Sequence, residues 1–555
     1  MAAFLAFSCL LFAERSLQQY PFRFDWSTTT YGPDGPWYAV TVKLGSDSQA
    51  VNLYPGATYG STILSSNLCT NTSLGSTCYA EKAGTYTQYT SDSSTNGSTD
   101  VWEPFLWGFG GGRKSRTVLD TMTLSNSQKE TWEKNITLYV TDEAYMTYPG
   151  NMSYQPSVGF LSLGAPSEYL YYPRKSENQG WWITSRLWHD SVIPSIGYGM
   201  HIGSTATDPP IEPSLYLGGF DKNRVLGEVS SQPVSSGGEN PNAALIIQLN
   251  DIAIGVEEGE SPFSFNNKTK TGLLQTNGTN LGSTPQLELN TAQPYMYLPT
   301  AACEAITTYL PVNYNSTLGL YIWNMSDPNY EIIVKSPAYL SFSFVKDMDN
   351  NNQLEIKVPF ALLSLTLEAP LADTPTSYLP LAHYDGVPLF GRAFMQAAFI
   401  GVNWGTGDTT GNWFLAQAPG PELNSVPNIE SMNAGTTAIT GSSSSWKTTW
   451  SSYWTPLGDT SSPSSGLSSG AKTGIGVGIG VGGALVILGA AVLFLHRKRA
   501  ARQNAKVQPQ AMPMGAHMLH GAYAQTPEEL GTDRENIPPV EKPADTQPPQ
   551  RHELA

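Results

Sequence analysis

Several stretches of this chain carry residue types that could do chemistry, and most fail on spacing. Gly108 to Ser115 nearly spells a phosphate-binding loop, but Arg113 stands before Lys114 where the tight turn needs glycine. Gly466-Leu-Ser468-Ser-Gly470 has the pattern of a nucleophile elbow, yet it lies in Ser/Gly-rich sequence with no strand and helix to strain the serine. Asp347-Met-Asp349-Asn350-Asn351-Asn352 suggests a calcium loop without its sixth-position glycine, and Val358 stands where the closing glutamate belongs. His189, His201 and His383 are too scattered to propose a zinc site, so no metal and no cofactor is expected.

Two loops remain. The first follows Trp37-Tyr-Ala-Val-Thr-Val-Lys-Leu-Gly45-Ser-Asp-Ser-Gln49 and Val51-Asn-Leu53, and leads on to Cys69. The second is Leu287-Glu-Leu-Asn290-Thr291-Ala292-Gln293-Pro294, running to Leu298-Pro299. Both resemble the motifs of pepsin-like aspartic peptidases, in which each loop supplies one aspartate. Further along, Leu119-Asp120-Thr121, Gly159-Phe-Leu-Ser-Leu-Gly164, Leu217-Gly218-Gly219-Phe220-Asp221, Leu249 to Gly255 and Leu389-Phe-Gly391-Arg392-Ala393-Phe394 resemble that family's landmarks in order. The resemblance implies a mostly β, two-lobed fold with a cleft between the lobes.

It also implies lost chemistry. Counting from Gly45 places Gly56 at the first aspartate, with Ala57 and Thr58 after it, and Asn290 stands at the second. Such a dyad works because two carboxyls share one proton, one acting as base on water and the other as acid. Glycine offers nothing to that pair and an amide does not exchange a proton. No Asp or Glu occurs between Asp47 and Glu81, so the cleft centre is expected to lack an ionisable acid and the protein to be no enzyme. The alternative is an endopeptidase that uses displaced carboxylates. The family's flap tip falls near Trp107-Gly108-Phe109-Gly110.

The elements that would carry these loops follow from composition and pattern. Residues 14–225 and 226–425 are expected to form the two lobes. Short alternating apolar runs such as Tyr339 to Val345 and Leu354 to Phe360, parted by a polar turn, read as hairpins. The net charge of -16 over 555 residues argues against nucleic acid as a partner. The apolar run in residues 1–13 fits a secretory signal peptide.

Of the 4 cysteines, Cys9 would leave with that signal. The resemblance pairs Cys69 with Cys78, which leaves Cys303 as a buried free thiol. N-glycosylation sequons stand at Asn71, Asn96, Asn135, Asn151, Asn267, Asn277, Asn315 and Asn324, all before the one long apolar segment.

That segment, Thr473 to Leu495, is uncharged, and as a helix it would span about 34 Å, enough for one bilayer crossing. His496-Arg-Lys-Arg499 places its C-terminal side in the cytoplasm and the ectodomain outside the cell membrane. Gly474, Gly478 and Gly482 share one helical face and would allow a weak homodimer. Residues 426–472 read as a Ser/Thr-rich extended stalk, and residues 496–555 as a disordered tail. Such a protein is expected to bind a peptide or a cell-wall polymer in its cleft, because binding does not need the dyad, or to serve in sensing or as a structural glycoprotein.

Overall fold

In the computed structural model, 42 % of the chain is strand and 13 % helix, which makes the protein mostly β as expected. The structure describes residues 19–458 except 57–59, 71–74, 97–100, 104–110, 148–149, 151, 165–168, 172–178, 236–244, 266, 348–351, 406–410 and 424–425. The signal segment, the apolar stretch 473–495 and the tail lie outside the described residues, as do Trp107 and most of the Asp347–Asn352 loop. Among the described residues no helix is long and apolar enough to cross a membrane.

Three sheets carry the fold. One of 11 strands draws on the first half of the chain, with the strands Val40–Leu44, Gln49–Gly56, Ser61–Leu64, Gly111–Ser125, Glu130–Thr147 and Gly159–Ser162 at its centre. A second of 11 strands draws on the later half, with Ile246–Val256, Gln286–Leu289, Met296–Leu298, Ala338–Val345, Thr376–His383 and Leu389–Phe390. The third has 6 strands and takes Gly197–His201, Ser214–Leu217 and Leu226–Pro233 together with Ala398–Asn403 and Asn412–Gln417. It joins the halves, and the described residues fall in one compact unit.

The two large sheets repeat one pairing pattern. In the first, Gln49–Gly56 lies antiparallel to Val40–Leu44 and parallel to Gly159–Ser162. The latter is antiparallel to Ser61–Leu64, which runs parallel to Glu130–Thr147. In the second, Gln286–Leu289 lies antiparallel to Ile246–Val256 and parallel to Leu389–Phe390. The latter is antiparallel to Met296–Leu298, which runs parallel to Thr376–His383. Gly56 ends Gln49–Gly56 in one half, and Asn290 follows the end of the matching strand, Gln286–Leu289, in the other. The two loops are therefore topologically equivalent.

Burial follows the period of two that a pleated strand imposes. Val40, Val42 and Leu44 point inward while Thr41 and Lys43 are half-covered. In the second half Leu340, Phe342 and Phe344 are fully buried across from Leu354, Ile356 and Val358. Cys69 and Cys78 form a disulfide with an S–S distance of 2.03 Å, and Cys303 is free and buried. Burial pushes the Cys303 thiol far above its usual range, so it is unreactive at neutral pH. Asn135, Asn267, Asn277 and Asn324 are exposed and Asn315 is partly covered, while Asn71 and Asn151 fall outside the described residues.

The expectation of an extended stalk over 426–472 is overturned for its first part. Ile429–Ser431 pairs antiparallel with Gly219–Asp221, Ser442 donates its amide to Val225, and Glu260 bridges to Leu457. Trp450 and Trp454 stack at 5.4 Å, and Trp446 and Tyr453 pack beside them. Trp446, Trp450 and Trp454 recur every fourth residue, and that apolar period outweighs the Ser/Thr content around it. Lys357 lies 5.4 Å from the Trp446 ring centroid and 4.7 Å from that of Tyr339, tying the segment to the second sheet. Trp446→Ala is expected to cost about 1–2 kcal/mol through lost burial and the lost cation–π contact. Urea unfolding of the ectodomain checks it, and an unchanged midpoint would mean the segment contributes nothing.

Candidate functional site

The two equivalent loops meet. The Thr291 hydroxyl donates to the Pro55 carbonyl across 2.8 Å, joining the residue after Asn290 to the residue before Gly56. Gly56 is buried at its strand's end, where its carbonyl accepts from the Leu163 amide at 2.9 Å. A Cβ at Gly56 would lie 2.8 Å from the Thr291 oxygen, so a side chain there must displace that hydroxyl. The structure thus brings together the two positions that the sequence singled out, and neither carries a carboxylate.

Asn290 is held by its own amide. Its side-chain oxygen accepts from the Ala292 amide at 3.0 Å, and its nitrogen donates to Glu288 Oε1 at 3.2 Å. The first bond closes a local turn, a role that asparagine fills well. The second leads to a carboxyl that the expected acid-free centre did not include. Leu287 and Leu289 point into the core, so Glu288 emerges from the opposite face of the strand.

Burial raises the Glu288 pKa to about 7, and the Asn290 hydrogen bond offsets part of that rise. The folded state therefore binds the proton more tightly than the unfolded chain. Stability from this group is complete below about pH 4.5 and is lost as pH rises through about 7. Glu288→Gln is expected to leave stability unchanged at acid pH and to raise it by about 1–3 kcal/mol near pH 8. Urea midpoints measured across that range check it. A variant that tracks the wild type at every pH would show that the carboxyl is not desolvated.

A second group lies behind the loops. Arg392 is 4 % exposed and its Nη1 donates to the Thr291 and Ala292 carbonyls, each at 2.9 Å. Its guanidinium carbon lies 4.3 Å from the Tyr54 ring centroid and 5.2 Å from that of Trp37. Asp34, 2 % exposed, accepts from Trp37 Nε1 at 2.8 Å and lies with its other oxygen 3.5 Å from the Tyr295 hydroxyl. Tyr54, Tyr154, Tyr295, Tyr297 and Tyr378 surround these charges. Burial lifts the hydroxyls of Tyr54, Tyr154, Tyr297 and Tyr378 well above their usual range, so they stay protonated.

Sequence reasoning missed Asp34 because Gly32-Pro33-Asp34-Gly35-Pro36 reads as an exposed turn. Here the Pro33 and Gly35 carbonyls instead accept from the amides of Glu368 and Thr366, which wedges the segment between elements of the two halves. Arg392 was visible. It stands in Leu389-Phe-Gly391-Arg392-Ala393-Phe394, and a lone charge among apolar residues is a signal.

The arrangement can hold a polar ligand, and at the two loop positions neither Gly56 nor Asn290 offers the carboxyl of a shared-proton pair. Glu288 has an amide as its hydrogen-bond partner, and Asp34 accepts from Trp37 with one oxygen while the other lies 3.5 Å from the Tyr295 hydroxyl. No protein-family model matches the chain, and no curated protein matches it.

Proposed function

We propose that this is a pepsin-like ectodomain without peptidase activity, a cell-surface glycoprotein that binds rather than cleaves. One observation carries the reading: two equivalent loops, joined by the Thr291–Pro55 hydrogen bond, present Gly56 and Asn290 where a shared-proton pair would need two acids. The repeated strand pairing supports the two-lobed fold. The apolar segment 473–495 anchors the chain in the cell membrane, with the sequons outside and the basic residues after it in the cytoplasm. Its glycine face supports a weak homodimer. The cleft takes a peptide or a polymer, and nucleic acid is not a partner.

The competing reading, an endopeptidase with displaced carboxylates, draws on Glu288, which has the neutral-range pKa of a general acid or base. Its neighbour is an amide that cannot accept or release the second proton. The deciding experiment is a peptidase assay of the ectodomain from about pH 3 to 7, with and without a statine-type inhibitor. Inhibitor-sensitive cleavage by the wild type would end the binding-only reading.

A further inference from the structure

The protein has a pocket of about 290 Å³, open to solvent and lined by Tyr31, Pro33, Tyr79, Lys82, Gln155, Glu368 and Pro370. Gly32, Pro33 and Ser157 also line an inner cavity of about 20 Å³, which reaches Asp34, Tyr54, Ala292 and Arg392. The outer volume is at the small end for ligand sites, enough for one or two sugar- or residue-sized units. The inner one has room for a single small polar group.

Two side chains that line this inner cavity carry a polar atom with no hydrogen-bond partner among the described residues: the Tyr54 hydroxyl and Arg392 Nε. Both side chains are at least nine-tenths buried, at 5 % and 4 % exposure. A buried donor left unsatisfied costs about 1–3 kcal/mol, so two of them on one cavity mark a place built for an acceptor. Asp34, Tyr154 and Ser157 line it as well, and the Asp34 carboxylate is an acceptor of opposite charge to Arg392. A carboxylate or phosphate entering here would gain from Arg392 and lose to Asp34. A hydroxyl suits both, since it accepts from Tyr54 or Arg392 and donates to Asp34.

The outer pocket points the same way. Its charges balance, Lys82 against Glu368, and Tyr31 and Tyr79 supply aromatic surface. An extended peptide would need free backbone to pair with. The Glu368 amide is already bonded to Pro33 and the Thr366 amide to Gly35, so that edge is occupied. We propose that this pocket binds a neutral, hydroxyl-rich ligand, the end of an oligosaccharide, with one hydroxyl seated between Tyr54, Arg392 and Asp34. This rests on the binding-only reading above and names the ligand class for it.

The test is a thermal-shift titration of the ectodomain with neutral trisaccharides of glucose, mannose and N-acetylglucosamine, up to about 10 mM, the weak end of small-ligand affinity. A galacturonate trimer and a pool of neutral tetrapeptides serve as charged and peptide controls. At least one neutral sugar is expected to raise the melting temperature, and Tyr54→Phe is expected to weaken its binding about 3- to 10-fold, the value of one hydrogen bond. The same variant keeps the ring under Arg392, so its unfolding midpoint without sugar is expected to be equal or higher. Overturning results are no response to any neutral sugar, a response that Tyr54→Phe leaves untouched, or a response to the peptide or galacturonate controls alone. Because the peptidase assay is separate, failure here leaves the absence of catalysis standing, and the discovery of cleavage would not itself account for sugar binding.

Discussion

Wild-type ectodomain and the single variants Gly56→Asp and Asn290→Asp are expected to leave peptide substrates intact from about pH 3 to 7, and only the double variant is expected to cleave them. The physical reason lies in the count of carboxyls across the Thr291–Pro55 contact. One acid on one loop can bind a proton but has no partner to deliver the second. Asn290→Asp alone would place a carboxylate beside Glu288, and the two would compete for one proton on a single strand. Both would then stand on the same loop, with nothing opposite them at Gly56.

The double variant carries a structural cost. The Cβ introduced at Gly56 lies 2.8 Å from the Thr291 oxygen, so that hydroxyl must move and its bond to Pro55 is lost or rebuilt. About 1 kcal/mol of stability is expected to go with it. Statine-sensitive cleavage by the double variant alone would establish both the loop register and the loss of chemistry in the natural chain. Cleavage by the wild type would refute the reading, and cleavage by either single variant would show that a further acid reaches the centre.

Arg392→Met is expected to be the most destabilising single change at the site, by about 3–5 kcal/mol. Methionine fills much of the same space, so the loss is chiefly electrostatic. The Thr291 and Ala292 carbonyls lose their shared donor, and the buried Asp34 carboxylate loses the nearby positive charge. The tyrosines around them are held protonated by burial and supply no replacement charge. Urea unfolding checks the value. The companion double variant Arg392→Met with Asp34→Asn should recover part of the loss, since it removes the unpaired charge. If Arg392→Met costs under about 1 kcal/mol, the two charges are not coupled through the core.

Much of this site was legible in sequence. Gly56, Asn290 and the Cys69–Cys78 pair were located by spacing within a resembled framework, and the structure brings the first two together and forms the third. Glu288 was equally visible as a residue, two places before Asn290. Its raised pKa was not, because desolvation depends on what covers the strand face. Asp34 was not singled out for a similar reason: a Gly/Pro-rich turn is usually exposed, and only packing between the halves buries this one. The segment after residue 426 misled by composition, with three tryptophans at a spacing of four hidden among serines and threonines.

The sequence by itself determined that the two equivalent loops hold a glycine and an amide, since residue identity is fixed whatever the fold does. It also determined the alternating apolar runs that make strands, because a pleated chain turns successive side chains to opposite faces. Only the tertiary structure decided that Arg392, Asp34 and Tyr54, far apart along the chain, line one cavity, with the Tyr54 hydroxyl and Arg392 Nε unpaired among the described residues. Long-range packing sets burial, burial sets which polar groups can find partners, and no local pattern of residues encodes that outcome.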